Sequence, residues 1–148
     1  MKGFLSFENF FLFIAFSTAS SEAAFPQAMQ AMEKFGVPRR IVSFVMPTGY
    51  SFNLDGSTLY LAVAAIFVAQ AAGVDLSIGQ QLLIMLTLML TSKGVAGIPR
   101  ANLVVLTALF QSYGLPLEGL GLLLGVDALI DPIRTSVNVL SHCVAPAV

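Results

Sequence analysis

Apolar residues run through this chain in blocks too short to be ordinary spanning helices, separated by polar, Gly- and Pro-bearing punctuation. Residues 4 to 17 form a first arm of about fourteen residues, about 20 Å of helix at 1.5 Å per residue, against a hydrocarbon core of about 30 Å. An arm of that length enters a membrane and turns back. The turn is predicted in "STASSEAAFP", residues 17 to 26, with a second arm to about Phe35. A long apolar stretch from Ile41 to Ala72 follows, interrupted by "GYSFNLDGST", whose Gly49, Asn53, Asp55 and Gly56 are poor interior helix residues. Two half-helices joined by unwound backbone are expected there. The scheme then repeats: a short arm at 80 to 91, a tip "SKGVAGIPRAN", a returning arm at 103 to 112, and a span from about Leu120 to the end.

Basic residues set the orientation. Lys34, Arg39 and Arg40 follow the first hairpin, while the loops near Asp75 and Glu118 hold no Lys or Arg. By the positive-inside rule the first loop is cytoplasmic, so the two hairpin-and-span units lie in opposite orientations. Carriers that build a site from discontinuous helices are organised in this way. A plain tandem of transmembrane helices is the alternative, and matched short, Gly/Pro-interrupted segments argue against it.

Composition agrees with a membrane protein. Hydrophobic residues make up 57% of 148 and charged residues 10%, whereas soluble domains carry about 25% charged residues. Seven basic and eight acidic side chains nearly cancel, which argues against nucleic acid as a partner. Cys143 is the single cysteine and reads as a packing residue. Lys2 followed by "NFFLFIAFSTAS" imitates a secretory leader, but Glu8 and Asn9 interrupt it.

Against that background "DALIDPIRTSVNVLSH", residues 127 to 142, stands out. Asp127, Asp131, Arg134, Thr135, Asn138 and His142 fall at steps of four, three, one, three and four, which puts them on one helical face. Leu129, Ile130, Ile133, Val137 and Leu140 cover the other sides. Each Asp or Arg at the centre of a spanning helix costs about 2.5 to 3.5 kcal/mol, so the charges point to function. Asp131 and Arg134 could equally neutralise each other as an i,i+3 pair, which leaves Asp127 and Asn138 unexplained. Pro132 is expected to kink the helix. In "NLDGS", Asp55 beside freed carbonyls makes a hard-oxygen set suited to sodium; a hydrogen-bonded kink with a protonated Asp55 is the bland alternative.

"SSEAAFP", "PTGYSFNLDGS", "SKGVAGIP" and "DALIDPIRTSVNVL" together resemble the signature regions of the dicarboxylate/amino acid:cation symporter family, in order and across nearly the whole chain. The resemblance implies an all-α membrane protein of two inverted repeats, each a re-entrant helical hairpin followed by a transmembrane helix. Hairpin 1 would occupy 4 to 35, a transmembrane helix with unwound NLDGS 41 to 72, hairpin 2 77 to 112 and the last transmembrane helix 116 to 146. Residues 1 to 148 would form the carboxyl-terminal part of a transport domain, without the family's first six helices.

The roles implied by the resemblance follow residue by residue. Arg134 would clamp the distal carboxylate of an acidic solute and Asp131 would accept its amino group, with Thr135, Asn138, Ser57, Ser20 and Ser21 completing the site. Gly97, Ile98, Pro99, Arg100 and Ala101 would form the lid. Asn53, Asp55, Asn138 and carbonyls at Gly49, Ser51 and Ser92 would bind sodium. Where sodium-coupled members carry an aspartate one turn after the matching asparagine, this chain has His142, either a proton carrier or a helix-end surface residue. Arg100, where many members have glycine, would favour doubly anionic solutes or snorkel outward. The hairpin motifs look like the C4-dicarboxylate carriers, whereas Asp131 with "RTSVN" looks like the amino-acid members.

The expected function is therefore elevator-type secondary symport, with sodium, or alternatively protons, as coupling ions and no other cofactor. The expected setting is multi-pass in an inner (plasma) membrane, homotrimeric in full-length form. No enzymatic activity is expected; Ser20, Ser21 and His142 supply the letters of a serine hydrolase without its G-x-S-x-G turn. A non-transporting membrane assembly subunit or a truncated fragment is the remaining alternative.

Overall fold

Why the chain stops and starts where it does is visible at its helix ends. The computed structural model describes residues 10–52, 54–95 and 101–148. Residues 4 to 9 of the first expected arm, Asn53, and Gly97, Ile98, Pro99 and Arg100 of the expected lid lie outside the described residues.

The described residues are helical throughout their regular structure, without strands. Helix α1 spans Phe10–Thr18 and α2 Ser21–Phe35. The turn between them is much shorter than the Ser, Ala and Pro content of "STASSEAAFP" suggests. Ala19 takes a left-handed φ of 47°, and the Ser20 hydroxyl oxygen accepts from the Ala23 amide at 3.2 Å, capping α2 at once. Pro26 then sits inside α2; it removes the bond its nitrogen would give to the Glu22 carbonyl, and the helix continues. Gly36 ends α2 at φ 112°, and Val37 donates to the Met32 carbonyl at 3.1 Å. A side chain at Gly36 would strain this left-handed terminator.

Helix α3 spans Arg39–Phe52 and α4 Asp55–Ala71, with Leu54 outside either helix, so helix is described over much of the ten-residue stretch expected to be unwound. The stretch Arg39–Ala71, which runs across residue 53, is long and apolar enough to cross a membrane by length and composition. Helix α5 spans Ile78–Thr91, opened by a reciprocal Ser77 and Gln80 capping box. A 3-10 turn at Ser92–Val95 follows, then α6 at Ala101–Tyr113 and α7 at Gly119–Ala147. At 29 residues, α7 reaches about 44 Å. It is one helix in sequence across Pro132.

The chain divides into two units, residues 1–56 with 131–148 and residues 57–130. In the first, each helix contributes an i,i+4 stripe: Phe11 and Ala15, then Ala24, Ala28 and Met32, then Val42 and Met46, then Val139 and Cys143. Alanines at the contacts let backbones approach closely. The second unit is centred on Leu61, Ala65 and Val68 of α4, Ile84 and Leu88 of α5, and Leu106 and Phe110 of α6.

One contact in the second unit carries a stability prediction. A β-carbon at Gly119 would collide with Val68 Cγ1 and stand 3.1 Å from Cγ2, and the β-branched Val68 has little rotamer freedom to yield. Gly119→Ala is expected to destabilise by about 1 to 3 kcal/mol, read as a lower melting temperature in detergent. Adding Val68→Ala should recover most of it; no recovery in the double variant refutes the packing account.

Candidate functional site

The carboxyl-terminal half of α7 buries a polar stripe beside the apolar Val139 and Cys143 and leaves other apolar residues outward. Arg134 is 6% exposed, Thr135 6%, Asn138 5% and His142 0%, while Ile133 is 56% exposed and Val144 54%. The arithmetic of threes and fours thus holds in three dimensions, with the polar stripe buried. Further up the same helix, Asp127 is also buried, in the second unit, and Leu129 is outward.

Arg134 makes an ion pair with Asp131 one turn earlier, with the Asp131 side chain one-third exposed. A buried guanidinium stays charged and needs such a partner. One turn later, Asn138 Oδ1 accepts from the Gly56 amide at 2.8 Å, tying α7 to the start of α4. Asp55, the first residue of α4, is exposed, and a carboxylate there is favoured by the helix dipole. Gly49 and Ser51 lie in the last turn of α3, whose final four carbonyls have no partner within their own helix. Carbonyl oxygens at the end of α3 and a carboxylate at the start of α4 therefore lie on either side of Leu54 in the chain. Among the described residues no three His, Cys, Asp or Glu side chains gather as metal ligands do, so a cation here would rest on carbonyl, amide and hydroxyl oxygens.

Ser20 and Ser21 belong to the same unit, at the amino end of α2. The Ser20 hydroxyl is committed as an acceptor to the cap, and its own hydrogen is still available for donation. Ser57 and Ser92 are buried in the second unit, where the Thr58 and Ser92 hydroxyls lie 3.1 Å apart. Ala101 opens α6.

His142 is not a surface residue. It is fully buried five residues before the end of α7, with ring centroids 5.9 Å from Tyr50 and 6.3 Å from Phe25. This overturns the helix-end surface alternative. Tyr50 in turn donates to Glu22 Oε1 at 3.0 Å, linking the end of α3 to the first turn of α2. Neither Glu22 nor Tyr50 is singled out by sequence reasoning. Both stand inside the motifs "SSEAAFP" and "PTGYSFNLDGS", and that coincidence was the available signal.

A family model described as the sodium:dicarboxylate symporter family matches residues 6–148. The chain belongs to this symporter family. Its relatives in the symporter family include the proton/sodium-glutamate symport protein of Bacillus caldotenax, 55% identical over 134 residues, which are 90% of this chain and 32% of that protein. The proton/glutamate-aspartate symporter of Escherichia coli K12 is also 55% identical, over 90% of this chain and 31% of its own length. The C4-dicarboxylate transport protein of Bacillus subtilis is 49% identical over 135 residues, 90% of this chain and 32% of that protein. The chain spans about a third of the length of these symporters. Symporters of this family are integral to membranes, in keeping with the outward-facing apolar side chains of α7.

Proposed function

We propose that the chain is the carboxyl-terminal part of the transport domain of a secondary active symporter, coupling entry of an acidic amino acid or C4-dicarboxylate to a sodium gradient. The observation that carries this reading is the buried Arg134, paired with Asp131 on an inward polar face shared with Thr135 and Asn138. Asp131 offsets that charge, and the planar guanidinium has N–H groups in a fork that can also meet the carboxylate of an anionic solute. Relatives whose names specify glutamate, aspartate and C4-dicarboxylates support an acidic solute.

In this reading Arg134 grips the distal carboxylate with two parallel N–H bonds. Asp131 accepts the amino group of an amino-acid solute, and Thr135, Asn138, Ser57, Ser20 and Ser21 hold the remaining polar atoms. Residues 97 to 101 close over the solute. Sodium rests on Asn53, Asp55, Asn138 and the carbonyls of Gly49, Ser51 and Ser92. Residues 4 to 35 and 77 to 112 are re-entrant hairpins, and 41 to 72 and 116 to 146 are the helices that follow them in two inverted repeats. The complete protein is a multi-pass homotrimer of the plasma membrane that moves its transport domain as an elevator.

Proton coupling is the second reading. It is favoured by the position of His142, a residue type able to carry a proton, on the same helical face as Arg134 and Asn138, and by relatives whose names include protons. Uptake of radiolabelled aspartate and succinate into proteoliposomes of the full-length protein tests both. Uptake driven by an inward sodium gradient is the expected result. Sodium-independent, acid-stimulated uptake replaces the sodium reading with the proton one, and no uptake under either gradient overturns the proposal.

A further inference from the structure

Gly56 is the second residue of α4 and is buried. Its amide is among the first four of that helix, which have no acceptor in their own helix. The acceptor is supplied from 82 residues away, by Asn138 Oδ1 at 2.8 Å. Of the two ends of an asparagine amide, only the oxygen can accept an N–H, so this bond also fixes which way Asn138 is turned.

A second, independent observation concerns space. A β-carbon at Gly56 would stand 2.5 Å from the Arg134 carbonyl oxygen, 3.1 Å from Asn138 Oδ1 and 3.2 Å from Val137 Cβ. The nearest of these atoms is backbone within a helix and cannot swing aside as a side-chain tip does. The start of α4 therefore rests directly on the turn of α7 that carries both Arg134 and Asn138. Any side chain at Gly56 must lift one backbone from the other.

We infer that Gly56 is a positioning residue: its missing side chain seats α4 on α7 between Arg134 and Asn138 and sets where the guanidinium and the amide are presented to the solute. This rests on the proposed solute site and adds to it a residue that touches no solute. The same contact ties the segment carrying Asp55 to the segment carrying Arg134. Displacing one shifts the other. Helix propensity alone gives the opposite expectation, since alanine is the better helix former and a purely local role for Gly56 would make Gly56→Ala neutral or stabilising.

The test is Gly56→Ala in the full-length protein, reconstituted in proteoliposomes, with KM and Vmax for aspartate and succinate measured beside the melting temperature. A misplacement on the scale of an ångström costs roughly a hundredfold where binding geometry is tight. The expected result is a rise in KM of roughly tenfold to a hundredfold, with a smaller change in Vmax per folded protein. Wild-type KM in this variant overturns the inference. If the variant does not accumulate, amide hydrogen exchange across residues 54 to 60 decides. Slow exchange at Gly56 in the wild type, accelerated in Asn138→Leu, supports the clasp; equal rates in the two refute it. Wild-type protein that transports neither solute defeats the proposed function instead, while the exchange comparison still reports on the contact.

Discussion

Arg134→Ala is expected to abolish uptake of acidic solutes by the full-length protein, and Arg134→Lys is not expected to restore it. The guanidinium is 6% exposed, so its bonds to a carboxylate form away from competing water. Truncating one partner of a buried, hydrogen-bonded charge pair costs about 2 to 5 kcal/mol. At 1.4 kcal/mol per factor of ten, that is roughly thirtyfold to several thousandfold in affinity. Lysine brings the charge without the planar fork that meets two carboxylate oxygens together. Binding of aspartate and succinate, followed by thermal shift alongside uptake, gives the comparison. Wild-type affinity in Arg134→Ala would mean that another group holds the anion.

Removing the other half of the pair should damage the fold more than the first change does. After Arg134→Ala, the carboxylate left behind is one-third exposed and can hydrate. After Asp131→Ala, the guanidinium left behind is buried. Breaking a buried pair in that sense costs about 3 to 5 kcal/mol, and the partial exposure of Asp131 places this case near 3. Asp131→Ala should therefore melt well below Arg134→Ala. Replacing both, as Arg134→Met with Asp131→Ala, should recover the stability and leave uptake absent. A double variant as unstable as Asp131→Ala alone would show that loss of the carboxylate beside the guanidinium is not the cause.

Local periodicity explains what could be read before any coordinates. The steps between Asp127 and His142 are multiples of a helical turn, so the polar face of α7 followed from arithmetic, and its burial followed from the apolar residues between. Gly49, Gly56 and the Asx residues around them marked the interruption between α3 and α4, although the helices run closer to it than their propensities suggest. On the α4 side, the buried Gly56 and its bond to Asn138 hold helix where local preference is weak. In "STASSEAAFP" the Ser and Pro content suggested a long turn, because neither the immediate Ser20 cap nor the accommodation of Pro26 within α2 is dictated by composition. Contacts between distant segments were out of reach. Nothing in the spacing links Gly56 to Asn138 or Glu22 to Tyr50. His142, five residues from the end of its helix, looked terminal only because the rings of Phe25 and Tyr50 arrive from other helices.

The reversed layout of α7 implies two regimes of mutational tolerance along one helix. At Leu129, Ile133 and Val144 the requirement is greasiness without shape, so exchange among leucine, isoleucine, valine and phenylalanine should pass unnoticed, whereas a single added charge is penalised. One step around the helix, at Arg134, Thr135 and Asn138, shape and chemistry are both fixed, and even conservative replacements register. Natural drift in this segment should accordingly follow a rhythm of three and four, with change accumulating on the outward stripe and almost none on the inward one.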